Sequence, residues 1–397
     1  MENKNMNRKI GFATIFITLP AILVGCGGSS DDAASGTTLT GTFVDAPVAG
    51  LTYSCAPSSL SGTTASGGSF SYQSGDSCSF SVSSVALGSA TADAVVSPVD
   101  LVASGSVTNA TVTNIVQTLM MLDDDGIPTN GINITPTMAS DFVAAAGTFD
   151  FGDGTFDTDM GNVATALSQT FPNDGTAQTH LTASMRCAYS GAYSGIYSGG
   201  NAAGPGHIDN SGTWGLVIDP VTGMMIGASY DTTFTALADI SGSAALSLDQ
   251  SRAFAAGQAG LVSFSGSLDT FNSVSGTWVG AGALNGFQGT INGDRVSVSS
   301  IADPAFRFVG SFTGTGSGFF AMDVDGSNNV VGKAYNPATD LLVGLTGTYD
   351  PGTGNVTLTA TDGTTAPGNY NSGTGVFSGS WVSGGDNGTY SGHGCAM

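Results

Sequence analysis

The sequence predicts a mainly β protein with a short helical connector, and three features of its 397 residues support this. It contains 60 glycines, and segments of alternating apolar and polar residues are separated by Gly, Asp and Asn. Such segments are typical of strands joined by tight turns. Asp-Gly and Asn-Gly pairs, as at 325–326 and 387–388, favour antiparallel hairpins. Hydrophobic residues make up 41% of the chain, enough to bury a core. We therefore expect an N-terminal β-sandwich, helices, and a C-terminal antiparallel barrel or sandwich.

The N-terminus has the pattern of a secretion signal. Basic residues are followed by an apolar run over 10–23, which is too short to span a membrane, and then by Leu23-Val24-Gly25-Cys26. This tetrapeptide resembles the lipobox of bacterial lipoproteins. The resemblance implies that Cys26 carries acyl chains such as palmitate and that the protein is anchored to a membrane. Gly27 in place of Asp then favours the outer membrane. The alternative is a signal-anchor helix with an incidental cysteine.

The charge of the chain limits its partners. The formal net charge is −22, and the part that follows Cys26 contains one lysine, Lys333, and four arginines. A surface of this sign repels phosphate backbones, which argues against nucleic-acid binding. It also argues against docking on anionic lipid through a basic patch.

Four cysteines remain if Cys26 is lipidated. Exported thiols tend to form disulfides, and four cysteines allow three pairings. We favour Cys55–Cys78 and Cys187–Cys395, because each pair then lies within one apparent domain.

The pattern changes along the chain, which suggests five segments. We assign 1–25 to the signal peptide, 26–38 to a flexible tether, 39–101 to a β-sandwich, 102–185 to a helical connector with acidic loops, and 186–397 to a Gly-rich β region. Within the third segment, Val44-Asp45-Ala46-Pro47-Val48-Ala49-Gly50-Leu51 with Thr63-Thr64 and Gly68-Ser69-Phe70 resembles the carboxypeptidase-regulatory-type β-sandwich. That module implies a spacer or interaction unit and no peptidase activity.

The connector contains helical patterns and one candidate metal site. Val112, Ile115, Val116, Leu119 and Met120 lie on one helical face, and Thr135-Pro136 is a typical helix start. Between them lies the segment 123–131, in which Asp123 and Asp125, with Asn130, could bind calcium through oxygen atoms. The alternative is a helix stop with solvated carboxylates. A second acidic loop contains Asp150, Asp153, Asp157 and Asp159, which could bind calcium or cap a helix.

The C-terminal segment contains an internal duplication. The motif at 211–214 recurs at 317–320, and Ser275-Gly276-Thr277-Trp278 recurs as Ser378-Gly379-Ser380-Trp381. We expect two copies of one antiparallel meander, with Trp278 and Trp381 at equivalent inner positions and Trp214 matching Phe319 or Phe320. Core packing of these tryptophans is favoured over a surface platform for glycans. The region loosely resembles the barrel lobes of transferrin-binding lipoproteins.

The sequence shows no convincing catalytic site. It lacks the G-x-S-x-G, H-E-x-x-H and dinucleotide-binding motifs, and its three histidines are far apart. We therefore expect a non-enzymatic outer-membrane lipoprotein for adhesion or another envelope interaction, with a protein or glycan partner. The alternatives are a barrel that binds a small ligand and, less favoured, an Asp-based glycan hydrolase.

Overall fold

The computed structural model confirms the mainly β fold class. It describes residues 36–147, 149–201, 206–233, 236–270, 273–296, 301 and 304–397. Residues 1–35, including Cys26, lie outside the described residues, so the lipidation site stays a prediction. Within the described ranges no helix is both long and apolar enough to cross a membrane.

The N-terminal region consists of short strands. They are β1 Thr38–Phe43, β2 Val48–Ala49, β3 Thr52–Ala56, β4 Ser61–Thr63, β5 Ser69–Gln73, β6 Ser77–Val82, β7 Val85–Thr91, β8 Val95–Val96 and β9 Ile132–Asn133. They form sheets in the orders β5-β1-β8 and β4-β3-β6-β7, and β2 pairs with β9. Alternate side chains are buried along these strands, as polar/apolar alternation requires. Phe43 and Phe70 from the first sheet contact Phe80 of the second, with ring centroids 4.9 and 5.1 Å away.

Four helices follow, and side chains at their N-termini define where three of them begin. They are α1 Ala110–Met121, α2 Pro136–Ala146, α3 Phe156–Leu167 and α4 Asp174–Tyr189. Side-chain oxygens of Asn109, Thr135 and Asn173 accept backbone N–H groups in the first turns of α1, α2 and α4. Thr135 with Pro136 starts α2 as the sequence predicts.

The described residues after α4 form two closed eight-stranded antiparallel barrels. The first contains β10 Gly191–Gly200, β11 Asp209–Ile218, β12 Met225–Asp231, β13 Ala236–Gly242, β14 Ala253–Gln258, β15 Val262–Thr270, β16 Ser273–Gly280 and β17 Gln288–Arg295. The second contains β18 Phe306–Gly314, β19 Gly318–Val324, β20 Asn329–Asn336, β21 Leu341–Tyr349, β22 Asn355–Ala360, β23 Gly368–Asn371, β24 Val376–Ser383 and β25 Asp386–Ala396. Each is a meander closed by its first and last strands, β10 with β17 and β18 with β25. Closure leaves no exposed sheet edge.

The two barrels pack side by side through β19. All seven residues of this strand are buried, although only alternate ones face the inside of their own barrel. The outward Phe319 and Ala321 belong to an apolar cluster with Ala192, Val217 and Ala228 of the first barrel. The barrels therefore share a small second core.

Two disulfides close the fold, and both are pairs that the sequence favoured. Cys55–Cys78 joins neighbouring strands β3 and β6. Cys187–Cys395 joins α4, just before the first barrel, to the last strand of the second barrel. The second bond therefore connects the two ends of the double-barrel region.

Candidate binding cavity and cation-binding loop

Trp278 and Trp381 occupy equivalent places in the two barrels. The indole N–H of Trp278 on β16 donates to the carbonyl oxygen of Ser198 on β10, at 3.2 Å. The indole N–H of Trp381 on β24 donates to Thr313 on β18, at 3.1 Å. Each bond runs from the seventh strand of a barrel to its first strand, so the duplication extends to individual hydrogen bonds.

Glycine makes room for both indoles. Gly289 on β17 and Gly388 on β25 lie between the tryptophan and the first strand. A Cβ at Gly289 would lie 2.6 Å from the Trp278 indole nitrogen, and one at Gly388 2.5 Å from that of Trp381. Both distances are shorter than real Cβ contacts, so only glycine fits at these two positions.

Of the two residues that could match Trp214, the structure selects Phe320 and not Phe319. Trp214 lies opposite Gly195 in the β10–β11 pair, and Phe320 lies opposite Gly310 in the β18–β19 pair. Phe319 instead faces the first barrel. Inner aromatic residues therefore recur in register.

The corresponding ends of the barrels differ. Residues 281–287 connect β16 to β17, and Phe287 within this loop packs against the core of the first barrel. The corresponding β24–β25 connection is only Gly384-Gly385, which brings no side chain. Sequence similarity pairs the Asn-Gly step at 285–286 with the one at 387–388, which would make Gly286 the counterpart of Gly388. Gly289 is the true equivalent, because the first hairpin is longer.

The second barrel contains an apolar cavity of about 360 Å³. It lies at the end of the barrel where the β18–β19, β20–β21, β22–β23 and β24–β25 hairpins meet. Its inner lining includes Phe320, Met322, Val343, Leu345, Leu358, Ala360, Phe377, Trp381 and Tyr390. The opposite end is closed by packed rings, among them Phe308 and Phe377 with centroids 4.6 Å apart. The cavity is therefore open at one end of the barrel and closed at the other end by aromatic side chains.

The polar atoms of the cavity wall are largely satisfied by the barrel. The Tyr390 hydroxyl donates to the carbonyl of Ala366 at 3.1 Å, and the Trp381 indole donates as described. The Asn336 side-chain oxygen accepts the N–H of Ala338. Burial raises the pKa of Tyr390, so its hydroxyl stays neutral. What remains for a ligand is mainly apolar surface.

The charges at the cavity are negative. Asp362 and Asp386 are exposed on the rim, beside Thr315, Thr339, Thr364 and Ser383, and the lining contains no lysine, arginine or histidine. The Asp362 carboxylate accepts the N–H of Thr364 at 2.9 Å, which holds it at the rim.

The predicted metal residues meet in one loop. Asp123, Asp124 and Asp125 each place a carboxylate oxygen within 4.8 Å of the others, but the side-chain nitrogen of Asn130 donates to Asp125 at 2.9 Å. Asn130 therefore holds a carboxylate in place. Burial raises the pKa of Asp123, whereas the hydrogen bond from Asn130 lowers that of Asp125.

The second acidic loop has ordinary structural roles. The carboxylates of Asp150 and Asp153 accept backbone N–H groups two residues ahead. Asp157 and Asp159 lie in the first turn of α3, where the helix dipole favours negative charge. Within the described residues this loop forms no cluster of three metal-binding side chains.

One buried polar pair has no counterpart in the sequence analysis. Asp45 is fully buried, and neither carboxylate oxygen has a hydrogen-bond partner. His180 on α4 approaches it, with Nε2 3.4 Å from Oδ1 and 3.0 Å from the Asp45 carbonyl oxygen. Burial raises the pKa of Asp45 to about 7, and the nearby His180 offsets part of that rise. His180 also lines a second cavity, of about 400 Å³, between α4, the segment before β2 and the C-terminus.

One buried ion pair lies within the second barrel, and another pair joins the second barrel to the first. Arg307 on β18 forms a two-pronged ion pair with Asp323 on β19, at 2.6 and 3.1 Å, and both residues are buried. Arg295 of the first barrel donates to the carbonyl of Ser190, which Arg307 also approaches at 3.3 Å. Burial, followed by repulsion from Arg307, lowers the pKa of Arg295 to about 10. His393 on β25 pairs with Asp219, which follows β11.

Comparison with known proteins gives only distant similarities. No protein-family model matches the sequence, and no curated protein matches it. Among solved structures, the chain is similar to transferrin binding protein B from Haemophilus parasuis, in a single-site mutant (9% identity, 52% of this chain, 76% of that chain, TM-score 0.20) and in a double mutant (9%, 52%, 76%, 0.19). It is also similar to intact Ap-TbpB with its N and C lobes (9%, 52%, 76%, 0.18). These proteins belong to the group that the Gly-rich repeat loosely resembles, but scores this low support no inference about function.

Proposed function

We propose that this chain is a lipid-anchored, non-enzymatic binding protein of the bacterial envelope whose second barrel holds the apolar part of a small ligand. The open cavity of about 360 Å³ within β18–β25 carries the proposal. Eight-stranded barrels are wide enough to hold one small ligand. The cavity volume falls in the range of small-molecule sites, roughly 300–1,000 Å³.

The wall of the cavity defines the buried part of the ligand. Phe320, Leu345 and Leu358 present apolar surface, and the polar tips of Trp381 and Tyr390 are bonded to the barrel backbone. A ligand group placed there gains by leaving water and finds few hydrogen-bond partners. A hydrocarbon chain or ring system fits this wall.

The rim defines the exposed part of the ligand. Asp362 and Asp386 repel an anionic head group, and no basic residue of the lining compensates. Hydroxyl groups of Thr339 and Ser383 offer hydrogen bonds to a neutral group. We therefore propose an amphiphile with a neutral or cationic head, and not a fatty-acid anion.

Three compounds that share a twelve-carbon tail test this assignment. Dodecyltrimethylammonium, dodecyl maltoside and dodecanoate differ in head group and can be titrated calorimetrically below their micelle concentrations. We expect the cation and the neutral compound to bind, and the anion to bind most weakly. No binding by any compound, or equal binding by the anion, would overturn the proposal.

Variants at the rim separate charge from shape. Asp362→Asn with Asp386→Asn should reduce the preference for the cation over the neutral compound by about two- to fivefold, as expected for exposed charges. Asp141→Asn serves as the control, because it removes one exposed charge on α2, outside the second barrel. Hydrolysis of polysaccharides by the parent, lost in the rim variant, would favour the Asp-based hydrolase.

The anchor is proposed from Cys26. Replacing Cys26 with serine should release the exported protein from the outer-membrane fraction. Unchanged membrane attachment of that variant would contradict the lipid anchor and leave the cavity assignment untouched.

Adhesion or another envelope interaction is the second candidate, with a protein or glycan as partner. The coupling of the barrels favours it, because β19 packing, the His393–Asp219 pair and Cys187–Cys395 hold both barrels as one wide surface. Protease treatment of intact cells, with pull-down on peptidoglycan and polysaccharides, tests this candidate.

A further inference from the structure

The loop between α1 and β9 is fixed at both of its ends. Leu122, which caps α1, and Ile132, which begins β9, are buried at 0% and 1% exposure. The backbone N–H of Asp124 donates to the carbonyl of Asn133 at 3.1 Å and closes the loop. β9 pairs in parallel with β2, so the loop connects the helical region to the N-terminal sheets.

One buried carboxylate oxygen in this loop accepts no hydrogen bond from a backbone or side-chain donor. Asp123 is 1% exposed, and its Oδ1 accepts the N–H of Asn133 at 2.9 Å. Its Oδ2 is buried and accepts no hydrogen bond. A buried, unpaired carboxylate oxygen is costly, and native structures rarely leave one.

The unpaired oxygen belongs to a cluster of three carboxylates. Asp124 accepts the Asn133 side-chain N–H at 2.9 Å, and Asp125 accepts donors from Asn130 and Ile127 at 2.9 and 2.8 Å. These neutral donors orient the carboxylates without cancelling their charge. Within the described part of the chain, no ion pair involves any of the three. Three carboxylates within 4.8 Å of one another therefore have no basic partner among the described side chains.

We propose that this loop binds one Ca²⁺ through the carboxylates of Asp123, Asp124 and Asp125, with Asn130 and Asn133 as positioning residues. The buried Asp123 supplies a fixed ligand, and the exposed Asp124 and Asp125 leave room for water to complete six to eight oxygens. Mg²⁺ fits less well because it demands a tighter octahedron. The ion would fasten the end of α1 to β9 and, through β9, to β2.

Calorimetry on the full exported chain with Cys26→Ser, treated first with EGTA, tests the proposal. CaCl₂ should bind with one-to-one stoichiometry and a dissociation constant of about 0.1–1 mM, the range of extracellular modules. Calcium at ten times that value should raise Tm by about 2–4 °C. MgCl₂ at equal concentration and NaCl at equal ionic strength measure non-specific screening.

Asp123→Asn keeps the shape of the side chain and removes its charge. We expect at least a tenfold loss of calcium affinity, and the same loss for the exposed Asp125→Asn, which should fold in any case. Asp141→Asn should bind calcium as the parent does. No heat and no Tm shift at 10 mM calcium would overturn the proposal. So would equal effects of magnesium, or unchanged binding by both loop variants.

Discussion

Trp278 and Trp381 make the same hydrogen bond in two barrels but have different surroundings. Trp278 is 2% exposed, whereas Trp381 is half-buried and lines the cavity of the second barrel. The two barrels therefore share the indole hydrogen bond, although only the second barrel is open at the end beside its tryptophan.

This difference predicts unequal effects of truncation. Trp278→Ala should lower the free energy of unfolding by about 3–5 kcal/mol, because it leaves a hole in a closed core. Trp381→Ala should cost roughly half as much, because part of the ring already contacts solvent, but it should weaken binding of the amphiphile. Chemical denaturation with parallel ligand titration measures both. Equal stability losses without loss of binding would contradict the different roles.

The buried Asp45 predicts a pH-dependent stability. Its pKa is raised from 3.8 to about 7, so the folded state keeps a proton that the unfolded chain loses above about pH 4. The free energy of unfolding contributed by this group should therefore fall as pH rises from about 4 to about 7, and stay level above that.

Asp45→Asn removes this dependence. We expect it to stabilise the protein at pH 8 by about 2–4 kcal/mol, since each pKa unit is worth about 1.4 kcal/mol, and to change little at pH 4. Denaturation at several pH values compares it with the parent and with Asp141→Asn. A variant less stable than the parent at pH 8 would show that the Asp45 carboxylate is charged and stabilised by His180.

The disulfides should contribute according to the loops they close. Their cysteines are 23 and 208 residues apart, so the chain-entropy model predicts about 3 and about 5 kcal/mol respectively. Paired alanine variants, Cys55→Ala with Cys78→Ala and Cys187→Ala with Cys395→Ala, can be compared by denaturation. A larger loss from the short loop would indicate that strain or local packing dominates over chain entropy.

Much of this architecture could be predicted from local sequence. Alternation, Gly-rich turns and a repeat were enough for the β fold and for the match of Trp278 with Trp381. The cavity could not be predicted, because it depends on how one hairpin, with Phe287, covers a barrel end while another, Gly384-Gly385, does not. The length difference between these hairpins was the available signal.

Contacts between distant segments were also beyond sequence reasoning. Asp45 and His180 lie 135 residues apart, and each alone resembles an ordinary turn or helix residue. In the acidic loop, by contrast, the sequence shows the clustered aspartates, but it does not show the role of each side chain. Only the fold shows that Asp123 is buried and that Asn130 donates to Asp125.

Filling the second barrel tests its assignment as the binding site most directly. Ala360 on β22 faces the cavity, and its neighbour Thr359 faces solvent, so Ala360→Trp and Thr359→Trp place the same ring inside and outside the wall. The measurement is the affinity of each folded variant for dodecyltrimethylammonium. We predict that Ala360→Trp weakens binding at least tenfold and that Thr359→Trp leaves it unchanged. Full binding by a folded Ala360→Trp variant would contradict the assignment of the cavity as the site.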